Sequence, residues 1–463
     1  MPFSRRRLLA GSLAAGAVLA ACGEPDLVEL PYGFAGDADP TPPPALAVEA
    51  AVKPVGNVAV TVGVASGHAK LADFEILIHS AVADVEAATP DPDLDLDVIQ
   101  VRMGSDLSDF TGAFINSVES IIDRGQTLDL LILPDRPALL ALAAAELIAD
   151  IEPFLAGGRS EPRLPHPLAL QATSIDGKRW AKAWGITPRA LWYQPELFDN
   201  VGLEPPPLSG WDWDEFLEAA IKLTVPAAAD GSGGQWGFWS NDLASLPFIW
   251  QNGGRILSED GSYNLLDQPE AIGALRFLAD LTHVHRVAPS RVAIAKRVTG
   301  KDGFRILVGG LPVALTPGDM VLRGGYALRQ LGVRLAPMMY GRQSTNRGSV
   351  NGMLAIMAGS RDPAAAFYAA GLIEAGLAVH SPFPARAASA ADIMALPLGL
   401  SEYEAGVVAS SLADARDFIH PLSSQILAII AEDVQTPLII ANADPEAVGI
   451  AAAETIDQLL NAS

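Results

Sequence analysis

Cysteine is almost absent from this chain: one residue, Cys22, among 463. That excludes an intramolecular disulfide and any metal centre held by several thiolates. Basic charge is also scarce. Lys and Arg total 31 against 54 Asp and Glu, for a formal net charge of −23, and no block of five or more basic residues occurs. Nucleic-acid binding and peripheral attachment to anionic lipid are not expected of such a chain. Long hydrophobic runs are missing too. Beyond the first residues no stretch reaches about 18 uninterrupted apolar residues, so no second membrane segment is expected. There is no Gly-x-Ser-x-Gly elbow, no Walker loop and no dinucleotide fingerprint. His283 and His285 form the only close histidine pair. With no cysteine or third ligand nearby they read as a polar helix end, and neither a metal nor a cofactor is expected. Acidic residues abound, but none sits in a motif tied to glycoside hydrolysis, so the chain is not read as an enzyme.

What is present begins at the amino terminus. Arg5, Arg6 and Arg7 precede an apolar run from Leu8 to Ala21, which ends at Cys22. A charged segment, a short apolar segment and small residues form an export signal, and the run is shorter than the roughly 20 residues of a spanning helix. Ser4 to Leu9 resembles a twin-arginine export motif, and Leu19-Ala20-Ala21-Cys22 resembles a bacterial lipobox. The lipobox implies cleavage before Cys22 and lipidation there, which would anchor the protein to the outer face of the cell membrane. Removal of residues 1–21 would leave 442 residues and a charge near −26. Residues 22–54, rich in Pro, Gly, Ala and acid, read as a semi-extended tether.

From Asn57 onward strands alternate with helices. Residues 57–64, 96–101 and 128–133 are buried β runs, and 74–88, 113–124 and 138–149 carry helical spacing, the pattern of a parallel α/β sheet. Trp184 to Tyr193 reads as strand, break, strand. Asp212 with Glu215, and Asp267 with Glu270, have capping-box spacing at helix starts. Near Val333 a strand, Arg334 to Pro337, looks like a return to the first style of packing. All eight tryptophans fall between residues 180 and 250.

Four stretches carry a family resemblance. Residues 190–224 include Tyr193, Leu197, Phe198, Gly202, Leu203, three prolines from Pro205, and Trp213-Asp214-Glu215-Phe216. Residues 248–281 hold a Gly-Gly turn, a hairpin and a helix; residues 304–319 and 381–386 supply the other two. In this order they resemble the extracellular solute-binding proteins of ABC importers, in the carbohydrate-binding, maltose-binding-protein-like family. The resemblance implies an α/β fold of the two-lobed periplasmic-binding-protein type II, hinge-linked around an interlobe ligand cleft. Lobe one is expected at 55–163 plus 332–360, and lobe two at 164–331 plus 361–463. The implied function is capture of a sugar or sugar-like solute and delivery to a membrane permease, by a monomer. An extracytoplasmic glycoside-active enzyme is the alternative, and a sensor or chaperone partner is a third reading.

A sugar site needs carboxylates, amides and Arg for hydroxyls, and aromatic planes for C–H faces. Asp135 and Arg136 lie just past a predicted central strand, where open α/β sheets bind ligands; the resemblance implies that such a pair touches sugar hydroxyls, while the plainer reading is an ion pair capping the next helix. Ser66 and His68 follow the first strand at the analogous mouth, where His68 donates to a hydroxyl or caps a turn. Trp239 is the stacking candidate, beside Asn241 and Asp242. Asp319 stands where the family often carries an aromatic platform, and Met320 departs from that pattern. Asn351 and Arg386 complete the set; Arg386 could meet an anionic group, which leaves room for a phosphorylated ligand.

Overall fold

A computed structural model describes residues 58–66, 94–102, 110–133, 136–155, 165–226, 234–239, 245–289, 313–319, 332–380, 385, 390–394 and 399–462. Its frame is a nine-stranded sheet in the order β2-β1-β3-β10-β6-β8-β7, with β9 on β6 and β11 on β10. The strands are β1 (Val58–Ser66), β2 (Leu94–Arg102), β3 (Leu130–Leu133), β6 (Lys182–Tyr193), β7 (Trp236–Phe238), β8 (Val313–Asp319), β9 (Arg334–Ala336), β10 (Asn346–Ile356) and β11 (Ala415–Arg416); β4 (Ser174–Ile175) and β5 (Lys178–Arg179) form a separate hairpin. β1 pairs in parallel with β2 and β3, the arrangement expected for consecutive buried β runs joined by crossovers.

β6 is one continuous strand of 12 residues that changes partners midway. Residues 182–188 pair with β10 and residues 189–193 with β8. The break read into Trp184–Tyr193 is therefore a change of sheet partner and not an interruption of the strand. Pro188, which has no N–H to give a ladder, sits at the switch. β10 is shared likewise: residues 353–356 pair with β3, and Asn346 and Arg347 pair with β11.

Side-chain alternation assigns the faces. Even residues of β6 turn to one side: Trp184 joins the core of Val60, Val62, Val64, Leu354 and Ile356, and Ile186, Ala190 and Trp192 join a core with Leu335, Val408 and Leu412. On the other side, Met353 and Ala355 meet helices α1 (Phe110–Asp123) and α2 (Arg136–Ala144) through Phe114, Val118, Leu139 and Leu142. Leu191 and Tyr193 enter the large core of the second half with Phe198, Phe216, Phe238 and Phe248. Phe216 and Phe238 meet edge to face there at 5.0 Å and 86°.

Packing around the boundary brings together elements far apart in the chain. Helix α3 (Pro167–Thr173) packs through Leu168 and Ala169 against Ile186 and Ala190 of β6, while at the start of β6 Trp184 is in the first half's core and Trp180 packs beside Leu139 and Met353. β9 instead pairs with residues 191–193 of β6 in the second half. Helix α7 (Pro363–His380) lies on the first half-sheet through Ala365, Ala366, Ala369 and Ala370, whose small side chains let it approach closely, and through Ile373.

Three helices complete the second half's side of the boundary. Helix α4 (Trp213–Lys222) starts with the expected reciprocal capping box of Asp212 and Glu215. Helix α5 (Ser245–Gln251) is buried throughout. Helix α6 (Pro269–His283) is capped at Gln268 without a side-chain bond, so the box read at Asp267 is one residue out of phase; Pro269 sets the start, and Asp267 accepts from the Gln268 amide. Helix α8 (Glu402–Ala413) covers the even face of β6. Further on, helices α9 (Ser423–Ile429) and α10 (Thr436–Ala441) are joined by a π-helical turn, Ile430–Gln435, before helix α11 (Pro445–Ala462). Pro437 lacks the N–H of a regular ladder, and Thr436 bonds five residues back to the Ala431 carbonyl.

Candidate functional site

The carboxyl ends of parallel strands from both halves converge on one segment. β1 and β3 run side by side and end at Ser66 and Leu133, and Leu133 lies opposite Met353, itself opposite Ala183. From the second half, β7 and β8 run parallel, and β8 ends at Asp319, opposite Arg189. Between these ends lie residues 185–189 of β6 and 347–351 of β10. Open α/β sheets bind ligands at such strand ends.

This segment is polar on one face only. Gly185, Thr187 and Arg189 alternate with Ile186, Pro188 and Ala190, and they share the face of Leu191 and Tyr193. Across the ladder, Asn351 pairs with Gly185 and Ser349 with Thr187. One step further the ladder sets Arg347 beside Arg189. Gly348 faces the opposite way, toward Ala415, Leu168 and Ile186, which keeps Arg347 and Ser349 on the polar face. The result is a polar floor between two apolar cores. From Gly185 to Arg189 it spans about 13 Å at 3.3 Å per residue. Thr187 and Arg189 are buried, at 8% and 5% exposure. Asn346 holds the strands together at this point by donating its side-chain amide to the Arg189 carbonyl.

The walls are anchored by hydrogen bonds. Gln251, fully buried at the end of α5, accepts from the Trp213 indole at 2.9 Å and donates to the Thr345 carbonyl at 3.2 Å, while its own carbonyl accepts from the Gln343 N–H. At the other end of α5, Gln435 of the π turn accepts from the Ser245 N–H and hydroxyl at 3.3 and 3.4 Å. On the first half's side, Arg136 opens α2, and its guanidinium donates to the carbonyls of Gln171 and Ala172 at 2.5 and 2.8 Å. Those carbonyls end α3, where a cation meets the negative end of the helix. Burial draws the guanidinium pKa below its usual value. At the start of α3, His166 accepts the Leu168 N–H on Nδ1, so its Nε2 donates to the Leu412 carbonyl at 2.8 Å.

Of the residues singled out by sequence, Ser66 ends β1, Arg136 follows β3, Asp319 ends β8 and Asn351 lies on β10, all around this boundary. Trp239 follows β7, is buried, and donates its N–H to the Leu315 carbonyl. Asp135, His68, Asn241, Asp242, Arg386 and Cys22 lie outside the described residues. Thr187, Arg189, Arg347 and Ser349 were not anticipated, although Gly-Ile-Thr-Pro-Arg within an apolar strand is a period-2 polar signal. A separate pocket at the outer edge of β6, lined by Ala169, Thr173, Lys182 and Glu374, has a volume of about 20 Å³, room for one water. Among the described residues no group of His, Cys, Asp and Glu is arranged to hold a metal ion.

Comparison with known proteins gives consistent matches. The family model described as bacterial extracellular solute-binding protein matches residues 111–370, more than half the chain. The ABC substrate-binding protein Lmo0181 of Listeria monocytogenes, in complex with cycloalternan, superposes with a TM-score of 0.66 at 18% identity, over 88% of this chain and 99% of that one. Maltose-bound MalE3 of T. maritima gives 0.62 at 19% identity, over 87% and 99%. The sugar-binding protein MalE of Xanthomonas citri gives 0.67 at 16% identity, over 87% and 98%. These likenesses establish the shared two-lobed α/β fold. A curated binding protein of Brucella abortus (strain 2308) is 29% identical over 108 residues, 23% of this chain and 25% of that protein. The match thus spans about a quarter of the curated relative's length.

Proposed function

Because the chain belongs to the bacterial extracellular solute-binding proteins, we propose that it captures a sugar or sugar-like solute between its two lobes and passes it to an ABC permease. The observation that carries this reading is the polar floor of Thr187, Arg189, Arg347 and Ser349, set where strand ends from both halves converge. A solute resting there touches both halves, so it stabilises whichever arrangement brings them together; binding works by closure and needs no bond chemistry. Asp135, Arg136, Ser66 and His68 are proposed for the first lobe's side of the site. Trp239, Asn241, Asp242 and Asp319 are proposed for the second lobe's side, with Asn351 on the floor and Arg386 as a further contact. The carbohydrates printed for the solved relatives, cycloalternan and maltose, support the choice of a sugar.

The amino-terminal features support a location outside the cytoplasmic membrane. In this reading Cys22 carries the lipid, residues 22–54 are the tether, and the folded part works as a monomer near its permease. Cys22→Ser is expected to move the protein from the membrane fraction to the soluble fraction.

Thermal unfolding of the purified chain against sugars, polyols, amino acids and polyamines tests the binding reading. A ligand at 100 times its Kd adds about 2.7 kcal/mol. A shift with a sugar class, without turnover of that sugar, is the expected result. A shift confined to amino acids or polyamines, or cleavage of a glycoside, overturns it.

A further inference from the structure

The tripeptide His-Pro-Leu occurs twice, at 166–168 and 420–422, and both copies fold in the same way. Proline has no N–H, so the leucine amide is the first that needs an acceptor, and the histidine supplies it. Leu168 N–H donates to His166 Nδ1, and Leu422 N–H donates to His420 Nδ1, each at 3.1 Å. With Nδ1 accepting, the proton of each neutral ring is on Nε2. His166 Nε2 donates to the Leu412 carbonyl at 2.8 Å. His420 donates to the main chain of Gly261, where an added Cβ would fall 3.2 Å from its Nε2.

The two rings fasten the two ends of one segment, residues 412–422. Leu412, in the last turn of α8, is tied to the start of α3, and His420 is tied to the turn at Gly261. Between these points the segment is stitched to β10. Asp414 accepts from the Ser344 hydroxyl, and its carbonyl accepts from the Asn346 N–H at 3.0 Å. β11 pairs with Asn346 and Arg347, and Asp417 lies 3.9 Å from Arg347 Nε. Asn346 in turn donates to the Arg189 carbonyl of β6. The segment therefore braces β10 and β6 where they pass between the halves.

This hold needs neutral rings. A proton on Nδ1 removes the acceptor and sets two N–H groups against each other. Burial holds both imidazoles below the usual histidine range, with the main-chain bonds acting the other way. The charged groups on the packed elements have partners of their own. Beside His166, Lys182 pairs with Glu374 at 2.6 Å, and Arg136 bonds the far end of α3. Beside His420, Glu259 lies 3.9 Å from Arg255, and Asp260 accepts from the Ser258 and Ser262 hydroxyls. On the segment itself Asp414 and Asp417 are engaged as above, and Arg416 is exposed. A ring freed from its clamp titrates near the ordinary value of about 6.5. The clamped form is therefore favoured in full above that pH and loses ground as pH falls below it, and because both rings hold one segment their effects multiply.

We infer that His166 and His420 form a paired acid-release latch: neutral, they pin residues 412–422 against β10, and protonated, they let the segment go and loosen the strands that join the two halves. This rests on the fold alone and is independent of which solute is bound.

Hydrogen–deuterium exchange of the whole chain, corrected for the intrinsic pH dependence of amide exchange, tests the latch without a ligand. Between pH 7.5 and pH 5.0 the protection of residues 412–422 is expected to fall at least tenfold, while β1 and β3 keep theirs. In a chain carrying both His166→Asn and His420→Asn, which retain a capping oxygen and do not titrate, protection of the segment is expected to be the same at the two pH values. Ring NMR of the unaltered chain, with both histidines titrating below 6.5, keeps the test independent of how well the double variant folds. Unchanged protection of 412–422 in the unaltered chain overturns the inference. So does an equal loss over the whole chain, an equal acid response in the double variant, or titration of either ring at or above 6.5.

Discussion

Gly352 packs against the indole of Trp184: a Cβ added at Gly352 would fall 2.0 Å from Trp184 Cη2. Gly352 also has a φ of +58°, a backbone conformation that glycine adopts at least cost. The two residues sit on adjacent strands, next to the segment where β6 and β10 cross between the halves. Gly352→Ala is expected to lower stability by about 3 kcal/mol, from overpacking and backbone strain together. Chemical denaturation measures the loss. Trp184→Leu in the same chain should recover part of it by vacating the space, which a purely backbone effect would not allow.

Asp129 is the buried carboxylate that ties β1 to the turn after β10. It is 2% exposed and accepts from the Thr61 N–H at 3.0 Å, the Ser360 hydroxyl at 2.9 Å and the Arg361 N–H at 3.1 Å. Asp129→Ala leaves those donors without their acceptor and is expected to cost about 3 kcal/mol. Asp129→Asn, which keeps an acceptor oxygen, should cost less. Denaturant midpoints of the two variants check the order.

His166 makes stability depend on acid. Burial holds its imidazole below the usual histidine range, with the bond to Leu412 acting the other way. The unfolded chain therefore takes up a proton first as pH falls. Stability is present in full above the ordinary histidine pKa of about 6.5 and is lost progressively below it. Protonation of Nδ1 would also remove the acceptor that caps α3. Melting temperature should fall between pH 7.5 and pH 5, and by less in His166→Asn, which retains a capping oxygen and does not titrate. An equal fall in both proteins would assign the acid sensitivity elsewhere.

Arg136 joins α2 to α3 through two main-chain carbonyls. Arg136→Ala is expected to cost about 2 kcal/mol, because bonds from a charged donor are worth more than neutral ones. Arg136→Lys, a point charge without the planar fork, should restore only part of this. If the loss is the same with and without a bound sugar, the residue acts as a brace. If the loss is larger with the sugar bound, it also serves the ligand.

Much of the fold was legible where a segment's own pattern decides its structure. The β-branched runs of β1 and β2, the apolar Leu-Leu-Ile-Leu of β3 and the Asp212–Glu215 box needed no partner to be read. Features that depend on distant residues were harder to see. Whether Pro188 breaks β6 or marks its change of partner depends on β8 and β10, more than 120 residues away. Whether Trp184 belongs to the first half or the second depends on α7. The floor was missed for the same reason. Arg347 and Ser349 gain meaning only when β10 brings them beside Arg189 and Thr187, more than 150 residues away in the chain.

The interleaving of β10 between β3 and β6 also governs how this chain can be made. β1, β2 and β3 leave the ribosome early, but the strand that closes their open edge ends at Ile356 and the helix that covers them starts at Pro363. Contacts at such separation form slowly. The first half must therefore wait, with an unpaired strand edge and an apolar face exposed, until most of the second half has been synthesised. Neither half is a unit that could be cut out, exchanged or inherited by itself.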